Sequence, residues 1–272
     1  MCLLIVLSRC HQQSPLVVAA NRDELYERPA IPMTVLQSGA PRILGGRDEL
    51  AGGTWLAVNE AGVFAGLTNR PTTEGRDPTR RSRGELPLSL AGHGTAEQAV
   101  HWLTENVEPR RYNPAWLFVA DRRSLFAVEI GDGPAPVAEA LGPGVHVLEN
   151  RPLGAPSAKV ERVRKLIDDV AELPLRLLER RLHVVLADHE LPATGPSSGA
   201  ADFAEHRRPP ETEAACVHTD RYGTRWSAVV SVSERAEPPR FVYAPGPPCT
   251  TATEDAGSLW QREDAGNHPC LP

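Results

Sequence analysis

The sequence is poor in aromatic residues and in lysine. Aromatics make up 5% of 272 residues, and lysine occurs only at Lys159 and Lys165 among 29 basic side chains. With 26 prolines and 22 glycines alongside, that skew reads as codon bias, so arginine abundance carries no functional weight. An excess of positive charge is missing too. Against 35 acidic residues the net charge is −6, which offers no general attraction for phosphate backbones or anionic lipid. Nucleic-acid and membrane-surface roles are not expected. No apolar run approaches the ~20 residues a membrane-spanning helix needs. The run Leu3 to Leu7 at the start is short and has no basic residue before it, so it reads as a strand and not as a signal peptide. Neither a C-x-x-C pair nor a G-x-x-x-x-G-K phosphate loop is present. Five scattered cysteines, Cys2, Cys10, Cys216, Cys249 and Cys270, match neither a secreted disulfide framework nor a structural zinc motif. A reduced, cytoplasmic protein is expected.

What is present is a globular composition, 41% hydrophobic and 24% charged, long enough for one large domain that buries roughly 70–75% of its unfolded surface. Short apolar runs at 3–7, 16–20, 116–120, 124–130, 144–148, 226–232 and 240–243 read as strands. A hairpin is predicted over 51–68, closed at Asn59-Glu60-Ala61-Gly62. Ser82-Arg83-Gly84-Glu85 and Thr95-Ala96-Glu97-Gln98 fit the capping box, predicting helices over 83–91 and 96–106. Apolar residues at helical spacing from Val160 to Leu186 predict two more within 157–188. Arg-Asp-Glu-Leu occurs at 22–25 and again at 47–50 with unlike flanks, and the echo reads as chance. Residues 192–213 are predicted to form a surface loop. The proline-rich stretch 244–272 is predicted to be a mobile tail after a single domain over 1–243. Strands, helices and again strands imply an α+β protein with helices covering mainly antiparallel sheets.

Cys2 holds the most informative position. Removal of Met1 would leave a thiol and a free α-amine on one residue. The amine has a reference pKa near 7.7–8.0 and the thiol near 8.5, so the amine can take the thiol proton close to neutral pH without a histidine. The plainer reading is a small apolar residue opening a buried strand. Position alone does not choose between them.

Further motifs tip the balance. Met1-Cys2, Ala19-Ala20-Asn21-Arg22-Asp23-Glu24 with Arg28-Pro29, Gly52-Gly53-Thr54-Trp55-Leu56, Thr68-Asn69, Ser82-Arg83-Gly84-Glu85-Leu86, Asn150 and Tyr222-Gly223-Thr224-Arg225 together resemble the NRDE family, also called the transport-and-Golgi-organisation family. Its layout is similar to N-terminal-nucleophile hydrolases, especially the cysteine branch with choloylglycine hydrolases and penicillin acylases. The resemblance implies a four-layer αββα sandwich with Cys2 as nucleophile on the first strand. It implies that Asn150 faces the tetrahedral oxyanion, where an amide donor stabilises developing charge, with Asn69 or Thr68 as a second donor. The hydrolase branch carries an arginine and, three residues on, an aspartate. An ungapped match here gives Asn21 and Glu24, with Arg22 and Asp23 between them. Strand alternation puts Arg22 and Glu24 on one face and Asn21 and Asp23 on the other, and which pair faces Cys2 stays open. Arg225, after a Gly-Thr turn, either snorkels at a sheet edge or pairs in a pocket. Gly52-Gly53-Thr54-Trp55 either lets backbone approach a ligand, with Trp55 against it, or makes a simple turn.

The expected catalytic set is therefore Cys2, Asn150, Asn69, Arg22, Asp23 and Arg225, with Asn21, Glu24, Thr68 and Trp55 binding substrate. Cys216-Val217-His218, and His183 with His189, lack the spacing of a closed metal site, so neither metal nor cofactor is expected. The function implied is amide hydrolysis or acyl transfer on a small molecule. The alternative comes from family members connected with haem mobilisation and with acyl-CoA and lipid homeostasis: a non-catalytic carrier of haem or acyl lipid using the same pocket.

Overall fold

The computed structural model describes residues 2–73, 75–192 and 209–262. The chain opens with a hairpin of β1 (Cys2–Ser8) and β2 (Leu16–Leu25), then runs through β3 (Ala30–Gln37), β4 (Ile43–Asp48), β5 (Leu56–Asn59) and β6 (Phe64–Asn69). Helices α1 (Glu85–Ala91) and α2 (Ala96–Asn106) precede β7 (Ala115–Ala120), β8 (Leu125–Ile130), β9 (Val137–Ala140) and β10 (Gly144–Leu148). Then come α3 (Ala158–Leu166), α4 (Leu175–Leu186), β11 (Tyr222–Val232), β12 (Arg240–Ala244) and β13 (Glu254–Asp255). Two antiparallel sheets result, one in the order β10-β1-β2-β11-β12-β13 and one running β3 to β9 in sequence order.

The first strand is apolar throughout because both its faces are covered. Leu4 and Val6, with Val18 and Ala20 of β2, point between the sheets and meet Leu56, Val58, Phe64 and Phe118. Leu3, Ile5 and Leu7, with Val17 and Ala19, point the other way onto Val163, Leu178, Leu182 and Val185 of α3 and α4. The outer face of the second sheet, Ala65, Leu67, Leu117 and Val119, is covered by Leu86, Leu90, Ala99 and Leu103 of α1 and α2. Each fully buried leucine or valine contributes about 1.5–3 kcal/mol, so one alternating strand ties three layers together. The layer order is αββα, as expected.

One of the two expected capping boxes fails. Thr95 caps α2 by accepting from Gln98 N, but Ser82 does not cap α1, which begins at Glu85 without a side-chain cap. The Arg83-Gly84 segment is instead pinned to the loop before β5, where Thr54 N donates to Gly84 O at 2.9 Å. A Cβ on Gly53 would lie 2.5 Å from the Gly84 carbonyl carbon, so only glycine allows this contact. Pro87 falls in the first turn of α1, where its missing N–H has no helical partner to lose.

The stretch after Tyr243 is not a free tail as far as it is described. β13 pairs with β12, Ala256 is buried, and Leu259 and Trp260 pack on the core between the sheets. Trp260 Nε1 donates to Pro239 O and Arg42 Nε to Leu259 O. A few well-spaced apolar anchors outweigh a composition that predicts mobility. Within the expected surface loop at 192–213, residues 193–208 lie outside the described residues, and Pro210–Glu213 forms a single 3-10 turn. No helix among the described residues is long and apolar enough to cross a membrane.

Candidate active site around Cys2

Register decides what meets Cys2. The hairpin pairs Cys2 with Arg22, and β11 pairs Thr224 with Asp23 and Trp226 with Arg22, the bulge between them falling on Arg225. Paired residues share a face, so Cys2, Arg22 and Glu24 point into the space between the sheets. The open question of facing is thus answered for Arg22 and Glu24.

Asn21 faces the helices. Its Nδ2 donates to Leu186 O at 2.9 Å and Ala215 O at 2.8 Å, which fastens α4 to the sheet. The expected role for Asn21 in binding substrate is replaced by a structural one, because both bonds are buried under the helical layer. Asp23 shares that side at the strand end, where the Thr224 hydroxyl donates to its Oδ1 at 2.6 Å. Burial raises the Asp23 carboxyl above the usual carboxylate range, opposed by Lys159, Thr224 and Arg22.

Asn150 follows β10 and reaches the start of β1. Its Oδ1 accepts from Cys2 N at 2.9 Å, and its Nδ2 donates to Asn69 O. A donor on one side and a carbonyl on the other fix which way the amide points. Thr68, on the face shared with Phe64, is buried and donates to Glu149 O at 3.0 Å, so its hydroxyl clamps β6 to the β10 end. Asn69 takes part through its main-chain carbonyl. Asn150 therefore holds the Cys2 nitrogen, and one Nδ2 hydrogen is what its side chain has left to offer an oxyanion.

The Arg22 guanidinium is buried. It lies 4.3 Å over the Trp55 ring, donates to Asp48 Oδ2 at 3.2 Å and stands 4.0 Å from Glu24 Oε2. Trp55 meets Trp226 edge-on at 5.4 Å, so its ring is the platform under Arg22. Asp48 accepts from Arg28 Nε at 2.6 Å and from the N–H of Ala51. Although burial works against its charge, these bonds and the two arginines hold Asp48 below the usual carboxylate range. Burial lowers the pKa of Arg22, and the charge of Arg225 adds to this. Arg225 Nη1 donates to Leu25 O at 3.0 Å and to Arg28 O, bracing the turn after β2 in place of the expected catalytic role, since the bulge turns it toward those carbonyls.

Burial pushes the Cys2 thiol above its ordinary value, and the Asp23 carboxylate adds to this. The Asp23 main-chain N–H and Arg22 pull it back. A second guanidinium, Arg83, also senses the thiol. Burial, with the repulsion of Arg76, lowers it to about 10, opposed by Cys2 and Glu24, while its Nη1 donates to Pro114 O.

Sequence reasoning passed over three of these groups. Arg83 lies inside the Ser82-to-Leu86 motif but was assigned no role. Asp48 belongs to the second Arg-Asp-Glu-Leu copy, whose carboxylate meets the arginine of the first. Lys159, one of two lysines, is buried on α3 and acts on Asp23. Hollows lined by Arg9, His11 and Arg122, and by Ser14, Arg240 and Trp260, lie toward the β1–β2 turn and away from Cys2. Elsewhere, His189, His218 and Cys249 converge, while His183 is held among Glu179 and its neighbours on α4.

The fold is an αββα sandwich in which Cys2 opens an interior strand of one sheet. The chain belongs to the Transport and Golgi organisation 2 family, which it matches over residues 1–239. The mouse (Mus musculus) Transport and Golgi organization 2 homolog is 30% identical over 232 residues, covering 80% of this chain and 82% of the relative. The cattle (Bos taurus) homolog is 32% identical over 237 residues with the same coverage. Among solved structures, an N-acylethanolamine-hydrolyzing acid amidase ortholog from Caenorhabditis elegans superposes with a TM-score of 0.45 at 14% identity, over 84% of this chain and 91% of that one. A variant of conjugated bile acid hydrolase from Clostridium perfringens superposes at 0.49 and 13%, over 97% and 95%.

Proposed function

We propose that this protein, once Met1 is removed, is a cysteine amide hydrolase or acyltransferase acting on a small acylated amine. The observation that carries this reading is the bond from Cys2 N to Asn150 Oδ1, made beside a thiol that burial raises above its ordinary value. With Met1 attached, Cys2 N is a peptide nitrogen whose lone pair is delocalised. Freed, it becomes an amine that donates one hydrogen to Asn150 and keeps its lone pair for the thiol proton.

The reaction follows from those groups. The thiol passes its proton to the α-amine, and sulfur bonds to the amide carbonyl carbon. The oxyanion is met by the spare Asn150 N–H, by the Asp23 main-chain N–H that faces the sulfur and by the charge of Arg22 and Arg83. The C–N bond breaks as the ammonium returns its proton to the leaving nitrogen, leaving a thioester. Water then yields the acid and restores the thiol, or a second amine takes the acyl group. Arg22, Glu24, Asp48 and Arg83 give the surroundings of Cys2 a charged character, which suits the polar head of an acylated amine.

The test is intact mass after exposure to a panel of acylated amines, with release of free amine followed in parallel. An acyl adduct on wild-type protein that is absent from Cys2→Ala supports the reading. Haemin bound tightly by wild type and lost in Cys2→Ala, with no acyl adduct from any amine, would replace the enzyme with a carrier.

A further inference from the structure

A second group of soft ligands assembles behind the site. Cys216 N donates to Asp188 O at 2.8 Å, which brings the segment after α4 alongside residues 216–218. The turn after β12, fixed by Thr250 and Thr251 donating to Pro247 O, delivers Cys249 to the same place. Cys216 Sγ and Cys249 Sγ are 3.7 Å apart. His218 Nε2 lies 3.4 Å from the first and 3.2 Å from the second. One ligand atom from each of His189, His218 and Cys249 falls within 4.8 Å of the others.

These separations match the edges of a coordination tetrahedron. Zinc holds thiolate sulfur at about 2.3 Å and imidazole nitrogen at about 2.0–2.1 Å, so its S···S edge is ~3.8 Å and its S···N edges ~3.5 Å. The three edges observed agree to within a few tenths of an ångström, and the exposed His189, whose ligand atom lies within 4.8 Å of those of His218 and Cys249, is the candidate for the fourth corner. A disulfide is a poorer description of the sulfur pair. Its S–S length is about 2.0 Å, and it would leave both imidazoles without a purpose.

We propose that Cys216, Cys249, His218 and His189 form a structural site for one zinc-type divalent ion. The ion staples three segments that are distant in sequence. Its effect extends inward, because Val217 N donates to Thr224 Oγ1 at 2.8 Å and that hydroxyl donates to Asp23 at 2.6 Å. Ordering residues 216–218 therefore steadies the carboxylate beside Cys2. Two thiolates and two imidazoles would fill four coordination positions, which leaves none open for a substrate.

The test uses the full-length chain, stripped with chelator under reductant and titrated anaerobically with Co2+. One Co2+ per chain is expected, with the visible bands of a tetrahedral ion, a thiolate-to-cobalt charge-transfer band and displacement by equimolar Zn2+. Cys216→Ser and Cys249→Ser should each weaken binding about a hundredfold and diminish the charge-transfer band. Should either fail to fold, His218→Ala and His189→Ala, which alter exposed side chains, should still weaken binding about tenfold. Cys2→Ala and Cys10→Ser should bind as wild type does. The proposal is overturned by a wild-type spectrum with no thiolate band, by unchanged affinity in both histidine variants, by loss of binding in Cys2→Ala, or by a Cys216–Cys249 disulfide in protein purified under reductant.

Discussion

Cys2 and Cys216 hang from opposite ends of one short hydrogen-bonded path, through Asp23, Thr224 and the Val217 main chain, yet their neighbours prepare them for different chemistry. Burial raises both thiols. Around Cys2 the compensation comes from Arg22, Arg83 and a main-chain N–H, groups that favour negative charge without binding sulfur tightly. Around Cys216 the neighbours are a second sulfur, which raises the thiol further, and the His218 imidazole, a set that suits a shared cation. A cysteine's depth therefore says little about its chemistry, whereas the types and spacing of the groups facing it say a great deal.

The sharpest way to break this comparison is to exchange its terms. Cys2→Ala should lower amide turnover by roughly 10⁴-fold or more, while Cys216→Ser should leave a Cys2 acyl adduct detectable by mass. Equal losses in both would erase the distinction.

Next in size is Asn150. Asn150→Ala should cost about a hundredfold in kcat, since it loses both the hold on the amine and an oxyanion donor. Asn150→Asp adds a negative charge beside the amine, stabilises its ammonium form and raises its pKa. The deprotonated amine then appears at higher pH, so the acidic limb of the rate profile should move to the alkaline side. A purely structural role for Asn150 would lower the rate without moving that limb.

Asp48 affects stability more than chemistry. Asp48→Asn removes the anion between buried Arg22 and Arg28 and should cost about 3 kcal/mol in denaturant unfolding at pH 7. The folded carboxyl lies below its unfolded pKa, so its contribution is complete above about pH 4 and fades as pH falls through the folded value. The gap between wild type and variant should narrow below pH 4, and a constant gap would contradict the ion-pair account. The smallest effect concerns the C-terminal stretch. Truncation after Thr251, which keeps Cys249, removes β13, Ala256 and Trp260 and should cost about 2 kcal/mol, or several degrees in Tm.

The contrast also marks how far sequence reading reached. β1 and β2 were legible as apolar runs, and α2 through its Thr95 cap. Cys2, Asn150 and the Gly52-to-Leu56 and Ser82-to-Leu86 motifs were legible as parts of one constellation. Residues whose placement depends on long-range register were not. Asp48 meets Arg22 only because β3 and β4 return it to the mouth of the hairpin, and nothing within 47–50 encodes that. Arg225 read as a site residue because a sequence does not reveal which way a bulge turns a side chain. The Cys216, His218, His189 and Cys249 group draws on segments separated by about thirty residues, so no local spacing announces it.

One measurement bears most directly on the account: the intact mass and N-terminal sequence of the purified protein, followed by brief labelling with iodoacetamide and peptide mapping. A chain beginning at Cys2, with Cys2 labelled faster than Cys10, is the predicted result. A chain that retains Met1, or a Cys2 no more reactive than Cys10, would contradict the claim that this residue is a nucleophile served by its own amine.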